Sequence, residues 1–145
     1  MTYVHAEVER NIKNVMESKI PKIIGDVGFD FHWDSKKVWK LDVPTTDMDI
    51  EKLVWHFEIP FWGKGSTNDY NLTPQEVIDR KSGTKEHFEK VKKADLKHPI
   101  DIMENKGRFL ILDGLHRLVK AYISGMKKVN VRIIPREKIP KIISN

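Results

Sequence analysis

The sequence contains no cysteine, and this absence excludes several kinds of chemistry. A chain without cysteine has no disulfide framework and no thiolate to act as a nucleophile or metal ligand. Long hydrophobic runs are also absent, because no apolar stretch approaches the roughly 20 residues that a membrane-spanning helix needs. Residues 1–7 show neither the basic nor the apolar region of a secretory signal. We therefore expect a cytoplasmic protein with no membrane partner.

The composition is that of a globular chain. Its 145 residues suit a single domain. The 39% of hydrophobic and 32% of charged residues are typical of a globular chain with a core. The net charge of +5 permits binding to nucleotides or to DNA and requires neither.

The hydrophobic pattern predicts both helices and strands, as in an α/β (α+β) fold, with an amphipathic helix at the start. The predicted helices cover residues 2–18, 48–57, 74–80, 85–94 and 115–124, and the predicted strands cover 29–33, 37–43, 100–103, 108–112 and 129–134. His56 is expected to lie off the buried stripe of its helix. We divide the chain into an N-terminal helix with its connecting segment (1–36), the main domain (37–135) and a frayed basic tail (136–145).

Residues 109–125 form the most informative segment. A short apolar run ends at Asp113-Gly114, a dipeptide that favours a sharp turn, and helical spacing follows as far as Gly125. The first N–H groups of a helix are unpaired and favour an anion. His116 and Arg117 lie in this first turn, where the helix dipole disfavours cations, so their presence favours a bound phosphate.

This segment and its neighbours resemble the ParB/sulfiredoxin superfamily. The matching residues are Pro99-Ile100-Asp101-Ile102, Asp113-Gly114-Leu115-His116-Arg117, Ala121, Gly125 and the strand at 129–134. Sulfiredoxins carry Phe-Gly-Gly-Cys-His-Arg at this turn, ParB domains carry Gly-Glu-Arg-Arg, and ParB-like free serine kinases carry Asp-Gly-His-His-Arg. The turn in this chain is nearest the kinase form. Since Leu115 stands where sulfiredoxins have their cysteine, sulfiredoxin chemistry is excluded.

The resemblance implies that residues 37–135 form a single ParB/sulfiredoxin-like domain, with helices around a small mixed sheet, and that a nucleotide site lies at this turn. It implies that Gly114, Leu115, His116 and Arg117 hold the phosphates of ATP or another nucleotide, with Mg²⁺ as the accompanying metal. By their chemistry, Asp113 could hold the metal or accept a proton, and His116 could act as acid or base. The plainer alternatives are that Asp113 caps the helix, Gly114 only makes the turn, His116 is a buried structural residue and Arg117 pairs with a carboxylate.

Further candidates lie earlier in the chain. The serine kinases of this superfamily use a glutamate from an earlier segment as base, and Glu51 or Glu58 could fill this role, with Asp69 as a weaker choice. In the loop at 58–70, Lys64 could reach a phosphate, and Trp62, Tyr70 or Phe61 could stack on a base. The alternative is an aromatic loop folded over the core.

Three functions are consistent with these features. The first is a small nucleotide-dependent phosphotransferase (a kinase) or nucleotide hydrolase. The second is a non-catalytic nucleotide-binding or DNA-associated ParB-like module. Against it, the residues after the fold show no obvious helix-turn-helix pattern, and the Arg-Arg form of the motif is absent. The third is a nuclease, which ranks last because no two-metal carboxylate cluster is evident. The oligomeric state is open, with a homodimer as one alternative.

Overall fold

The computed structural model describes residues 2–17, 20–65 and 67–144, and within the first helix it describes the side chains of 6–14. The architecture is α/β, with a four-stranded mixed sheet, several short helices and an N-terminal helix. The α-helices are α1 (Thr2–Glu17), α2 (Lys22–Asp26), α3 (Ser35–Trp39), α4 (Pro74–Ile78), α5 (Lys85–Lys93), α6 (Leu115–Ile123) and α7 (Ile139–Ile142). The strands are β1 (Thr45–Asp49), β2 (Ile100–Asn105), β3 (Arg108–Asp113) and β4 (Lys128–Ile133). Short 3₁₀ helices cover Ile50–Lys52, Val54–Glu58 and Arg136–Lys138.

The strands lie in the order β1-β4-β2-β3, with β2 and β4 parallel and the other pairs antiparallel. β2 and β3 form a hairpin, because Lys106 and Gly107 both adopt the positive φ values that a tight hairpin turn requires. At the opposite end of this hairpin, after a register shift between Asp101 and Ile102, Asp101 pairs with Asp113, one residue before Gly114. The sheet therefore delivers two carboxylates to the start of α6.

Helices cover both faces of the sheet. Alternate residues of β2 point to opposite faces, so Ile102 packs in one core cluster with Leu118 of α6, and Met103 packs in a second with Val38 of α3. α4, α5 and α6 contact one another on the first face, and α7 contacts α1 and α3 on the second. The N-terminus of α6 thus lies beside the first of these core clusters.

Several predicted elements are confirmed. The N-terminal helix, the β2–β3 hairpin, α5, α6 and β4 lie where the pattern placed them, within one or two residues at most ends. The capping box before α4 is present, since the Thr73 hydroxyl accepts from the N–H of Glu76 and the Glu76 carboxylate accepts from the N–H of Thr73. Gly125 follows α6 with a φ of +79°, as expected of a residue that ends a helix.

The predictions for residues 37–57 are wrong. The expected strand at 37–43 is replaced by α3 and an irregular segment, because the Asp34 carboxylate caps a helix by accepting from the N–H of Lys36. The expected helix at 48–57 is a strand followed by two 3₁₀ helices. β1 forms because it completes the sheet beside β4, a pairing that local pattern does not reveal.

Three further expectations are corrected. Residues 136–144 are not a frayed tail, because Ile139 and Ile142 are buried against the second face of the sheet. His56 is 1% exposed and lies inside the core. The segment at 29–33 is not a regular strand, and within the described residues it makes one isolated bridge, between Trp33 and Ile143.

Two other expectations concern membrane-spanning helices and the domain boundaries. No helix in the described ranges combines the length and hydrophobicity needed to cross a membrane. The domain boundaries at residues 36 and 135 stay a prediction.

Candidate functional site

The backbone at Gly114 adopts a conformation that glycine reaches more easily than other residues. Gly114 has a φ of +113° and precedes the first residue of α6. The helix begins its hydrogen-bond ladder at Leu118, whose N–H donates to the carbonyl of Gly114. Among the described residues nothing accepts from the N–H groups of Leu115, His116 and Arg117. This end of α6 therefore has the free donors and the partial positive charge that attract an anion.

Arg117 folds back over this turn. Its Nη2 donates to Asp113 Oδ2 at 3.0 Å, and the same oxygen accepts from the indole Nε1 of Trp39 at 2.8 Å. The pairing matches the plainer expectation for Arg117. Arg117 Nε is buried and has no hydrogen-bond partner within the described residues. The guanidinium thus keeps one buried donor without a partner, next to the Gly114 turn.

His116 lies beside His87, and the two imidazole rings stack together on the indole of Trp62. The rings of His116 and His87 lie nearly parallel to the indole of Trp62, with centroids 4.3 Å and 4.6 Å from it. The two imidazole centroids are only 5.3 Å apart, so both lie against the same face of the indole. Trp62 is therefore close to the turn, but the two histidines cover one of its faces.

The hydrogen bonds of this stack fix the proton positions of the neutral rings. His87 Nε2 lies 3.0 Å from the carbonyl of Gly63, so it must carry the proton and donate. His87 Nδ1 then accepts from Nε2 of His116, 3.0 Å away. The remaining nitrogen of His116, Nδ1, carries a lone pair. Neutral His116 therefore cannot donate to a phosphate through this atom.

Burial keeps both histidines neutral. The pKa of His116 is lowered to about 3, first by desolvation and then by His87 and Lys90. Desolvation also lowers the pKa of His87, although its bond to the Gly63 carbonyl opposes this shift. The expectation that His116 acts as acid or base near neutral pH is thus not supported, and the charge for an anion must come from other residues.

Lysines from α5 and the arginine of α6 supply this charge. A depression of about 370 Å³ lies over the turn, and Lys90 and Lys93 line it together with the residues from Asp113 to Arg117. The rest of the lining consists of Trp39, Ala94 and one acidic residue, Asp95. We refer to this feature as the basic depression.

A larger cleft adjoins the basic depression and shares Trp39, Asp113 and Arg117 with it. This Trp39 cleft has a volume of about 590 Å³, and its further lining consists of His98, Pro99, Asp101 and Arg132. Arg132 Nε donates to Asp101 Oδ1, and the two other guanidinium nitrogens donate to the carbonyls of Leu41 and Val38. The cleft is thus built on a buried ion pair that ties the sheet to α3.

Four predicted site residues lie away from the turn. Glu51 and Glu58 are exposed, and among the described residues neither bonds to the turn or lines the two depressions. The side chain of Lys64 lies along Gly83. Tyr70 packs against the core cluster that contains Phe29.

The sequence reasoning missed Trp39, His87, Lys90, Lys93, Asp101 and Arg132. Lys90 and Lys93 lie in the predicted helix at 85–94, whose charged residues do not by themselves indicate a site, and the alternation around Trp39 predicted a strand. No signal in the sequence links His87 to His116. Within the described ranges no three His, Asp or Glu side chains form a group able to hold a metal. Asp113 is the sequence-predicted metal ligand, and Trp39 and Arg117 already occupy its Oδ2.

No protein-family model, no curated protein and no solved structure matches this chain. The comparisons therefore assign it to no family.

Proposed function

We propose that this chain is a nucleotide-phosphate-binding protein of the ParB/sulfiredoxin type, with the phosphates held at the turn from Asp113 to Arg117. The observation that carries the proposal is the open N-terminus of α6. Among the described residues nothing accepts from its first three N–H groups, and Arg117, Lys90 and Lys93 line the depression over the turn. This combination of donors and charge suits a polyphosphate.

Two features of the fold support the proposal. The Asp-Gly-Leu-His-Arg motif occupies a strand, a turn and a helix start, which is the placement that the resemblance implies. Gly114 also has no Cβ, and the space that this leaves holds the guanidinium of Arg117 over the turn. A Cβ there would lie 2.9 Å from Arg117 Nη2, so any larger residue would displace the guanidinium.

The catalytic extension of this proposal is phosphotransfer or nucleotide hydrolysis with Mg²⁺. Mg²⁺ commonly binds one or two carboxylates together with substrate phosphates, so Asp113 suits it once Trp39 or Arg117 releases the carboxylate. A base is harder to place, because the pKa of His116 is about 3 and neither Glu51 nor Glu58 contacts the turn. Binding is accordingly the function that the geometry supports best.

Thermal and calorimetric titrations test the proposal. ATP, ADP, CTP and GTP, each with and without Mg²⁺, are titrated into the wild type and Arg117→Ala. A nucleotide at about 100 times its Kd should stabilise the fold by about 2.7 kcal/mol, which corresponds to several degrees in Tm. Arg117→Ala should weaken this effect, and so should Lys93→Gln.

Matched controls separate the site from general charge. Lys85→Gln removes an exposed lysine from the same helix as Lys93, and Arg136→Ala removes an exposed arginine from a 3₁₀ helix. Both should bind like the wild type. The proposal fails if no nucleotide stabilises the wild type, or if the control variants lose affinity as much as Arg117→Ala. Release of inorganic phosphate, measured on the same samples, tests the catalytic extension.

A further inference from the structure

We propose that the Trp39 cleft holds the nucleoside part of the ligand, with the aromatic base stacked on the exposed indole of Trp39. The inference rests on the proposed function, since it assumes that the phosphates lie in the adjoining basic depression. It assigns the base to a residue that the sequence did not suggest, in place of Trp62 and Tyr70.

Trp39 is exposed and yet firmly held. It is 56% exposed, the highest value among the large exposed hydrophobic side chains described. The backbone that carries it is anchored by the fully buried Val38, by the Asp34 cap and by the bonds from Arg132 to the carbonyls of Val38 and Leu41. The bond from its Nε1 to Asp113 fixes one edge of the ring. An indole held this way offers a stacking surface with little loss of side-chain entropy on binding.

The floor of the cleft offers a polar contact for the same ligand. Asp101 is 2% exposed and lines the cleft. Its Oδ1 accepts from Arg132, and among the described residues no hydrogen bond engages Oδ2. A buried carboxylate with a free oxygen is suited to accept from an amino or hydroxyl group of a nucleoside.

The size and position of the cleft favour a free nucleotide. A volume of about 590 Å³ is typical of pockets that enclose small ligands. Trp39, Asp113 and Arg117 line both the cleft and the basic depression, so one molecule can place its base against the indole and its phosphates at the start of α6. A concave site of this kind suits a mononucleotide better than an extended nucleic-acid strand, which needs a continuous groove.

The stacking candidates from the sequence are less suited to this role. Two imidazoles cover one face of Trp62. Tyr70 packs against the cluster of Ile24, Phe29 and Leu110 and does not line the cleft.

The test compares a nucleotide with a phosphate chain that has no base. Calorimetry measures the affinities of ATP, GTP, CTP and inorganic tripolyphosphate for the wild type, Trp39→Ala and Trp39→Phe. Trp39→Ala should weaken the best nucleotide about tenfold or more, because a base loses its stacking partner. Tripolyphosphate should bind Trp39→Ala within about twofold of the wild type, and Trp39→Phe should retain most of the nucleotide affinity. Tyr122→Ala is the control, since it removes another exposed aromatic side chain that lines neither the cleft nor the basic depression.

The outcomes separate this inference from the function on which it rests. If tripolyphosphate binds the wild type as tightly as every nucleotide, or if Trp39→Ala weakens both ligands equally, the base does not stack on Trp39 and only the phosphate site stands. If neither ligand binds, both proposals fall. Tighter binding of a short single-stranded oligonucleotide than of any mononucleotide, lost in Trp39→Ala, would also overturn the inference in favour of a nucleic-acid site.

Discussion

His56 is a buried side chain that satisfies a backbone group at the edge of the sheet. It is buried beside β3, where its Nε2 accepts from the N–H of Ile111 at 3.0 Å. Its Nδ1 lies 2.7 Å from the carbonyl of Leu53, so this nitrogen carries the proton. On the same edge strand, the Nε1 of Trp33 donates to the carbonyl of Leu112. These bonds satisfy backbone groups that an edge strand would otherwise present to another chain.

The protonation of His56 makes folding sensitive to acid. Desolvation lowers its pKa from 6.5 to about 4, while its bond to Leu53 opposes the shift and Arg108 adds to it. Because the folded pKa is the lower one, the unfolded chain binds the proton first. The stabilisation is complete above pH 6.5 and is lost as the pH falls from 6.5 to 4. We expect this group to reduce the free energy of unfolding by about 2 kcal/mol between pH 7 and pH 5.

Urea denaturation at several pH values checks this prediction. His56→Gln should be less stable at pH 7 and should lose less stability on acidification than the wild type. His87 and His116, whose pKa values are also lowered, will keep part of the acid sensitivity. His98→Gln is the control, since this side chain is 69% exposed. An unchanged pH profile in His56→Gln would contradict the assignment.

At the scale of elements, α7 most changes the interpretation of the chain. The basic composition of residues 136–145 suggested a frayed end, but Ile139, Ile142 and Ile143 lie in a core cluster with Phe31 and Val38. The N–H of Asp34 also donates to the carbonyl of Ile142. The C-terminal segment thus supports the helix that carries Trp39.

We expect Ile142→Ala to destabilise the fold by about 2–4 kcal/mol, because it removes a fully buried side chain and leaves a cavity. Ile133→Ala is the matched control: this isoleucine is 38% exposed and should cost about 1 kcal/mol or less. Urea unfolding of the two variants and the wild type gives the comparison. If Ile142→Ala were as stable as the wild type, the burial of this segment would be contradicted and the prediction of a frayed tail would stand.

At the scale of the whole molecule, polar groups bridge segments that are distant in sequence. Asn11 of α1 bonds to the backbone of His32 and to the carbonyl of Ser144, so it joins both ends of the chain. Arg132 of β4 bonds to Asp101 of β2 and to the backbone around α3. Because its partner Asp101 is buried, the loss of Arg132 would leave an uncompensated carboxylate in the interior.

Arg132→Met should therefore reduce the free energy of unfolding by about 3–5 kcal/mol. The double variant Asp101→Asn with Arg132→Met should be more stable than Arg132→Met alone, since it no longer buries an unpaired charge. Lys128→Met is the control on the same strand. Its ion pair with Asp49 spans 3.8 Å and both side chains are more than half exposed, so the cost should be below about 1 kcal/mol. Equal losses in Arg132→Met and Lys128→Met would show that the buried pair contributes no more than a surface pair.

The sequence by itself determined the elements whose causes are local. The β2–β3 hairpin follows from Lys106-Gly107, α4 from the capping box at Thr73, and the turn into α6 from Asp113-Gly114. In each case adjacent residues supply the required φ angles or the first hydrogen bonds, so the pattern alone is sufficient. The same locality explains why Gly114, His116 and Arg117 could be recognised together.

Only the tertiary structure decided the surroundings of that turn. β1 exists because β4 offers it a partner, and α7 is buried because β2 and β3 leave an apolar face uncovered. His87 meets His116 across 29 positions, and Trp39 meets Asp113 across 74. Such contacts depend on how whole elements pack, which hydrophobic period and capping residues do not encode. For the same physical reason the sequence could indicate the turn at Gly114, but the cleft beside it, and the indole that lines it, appear only once the chain is folded.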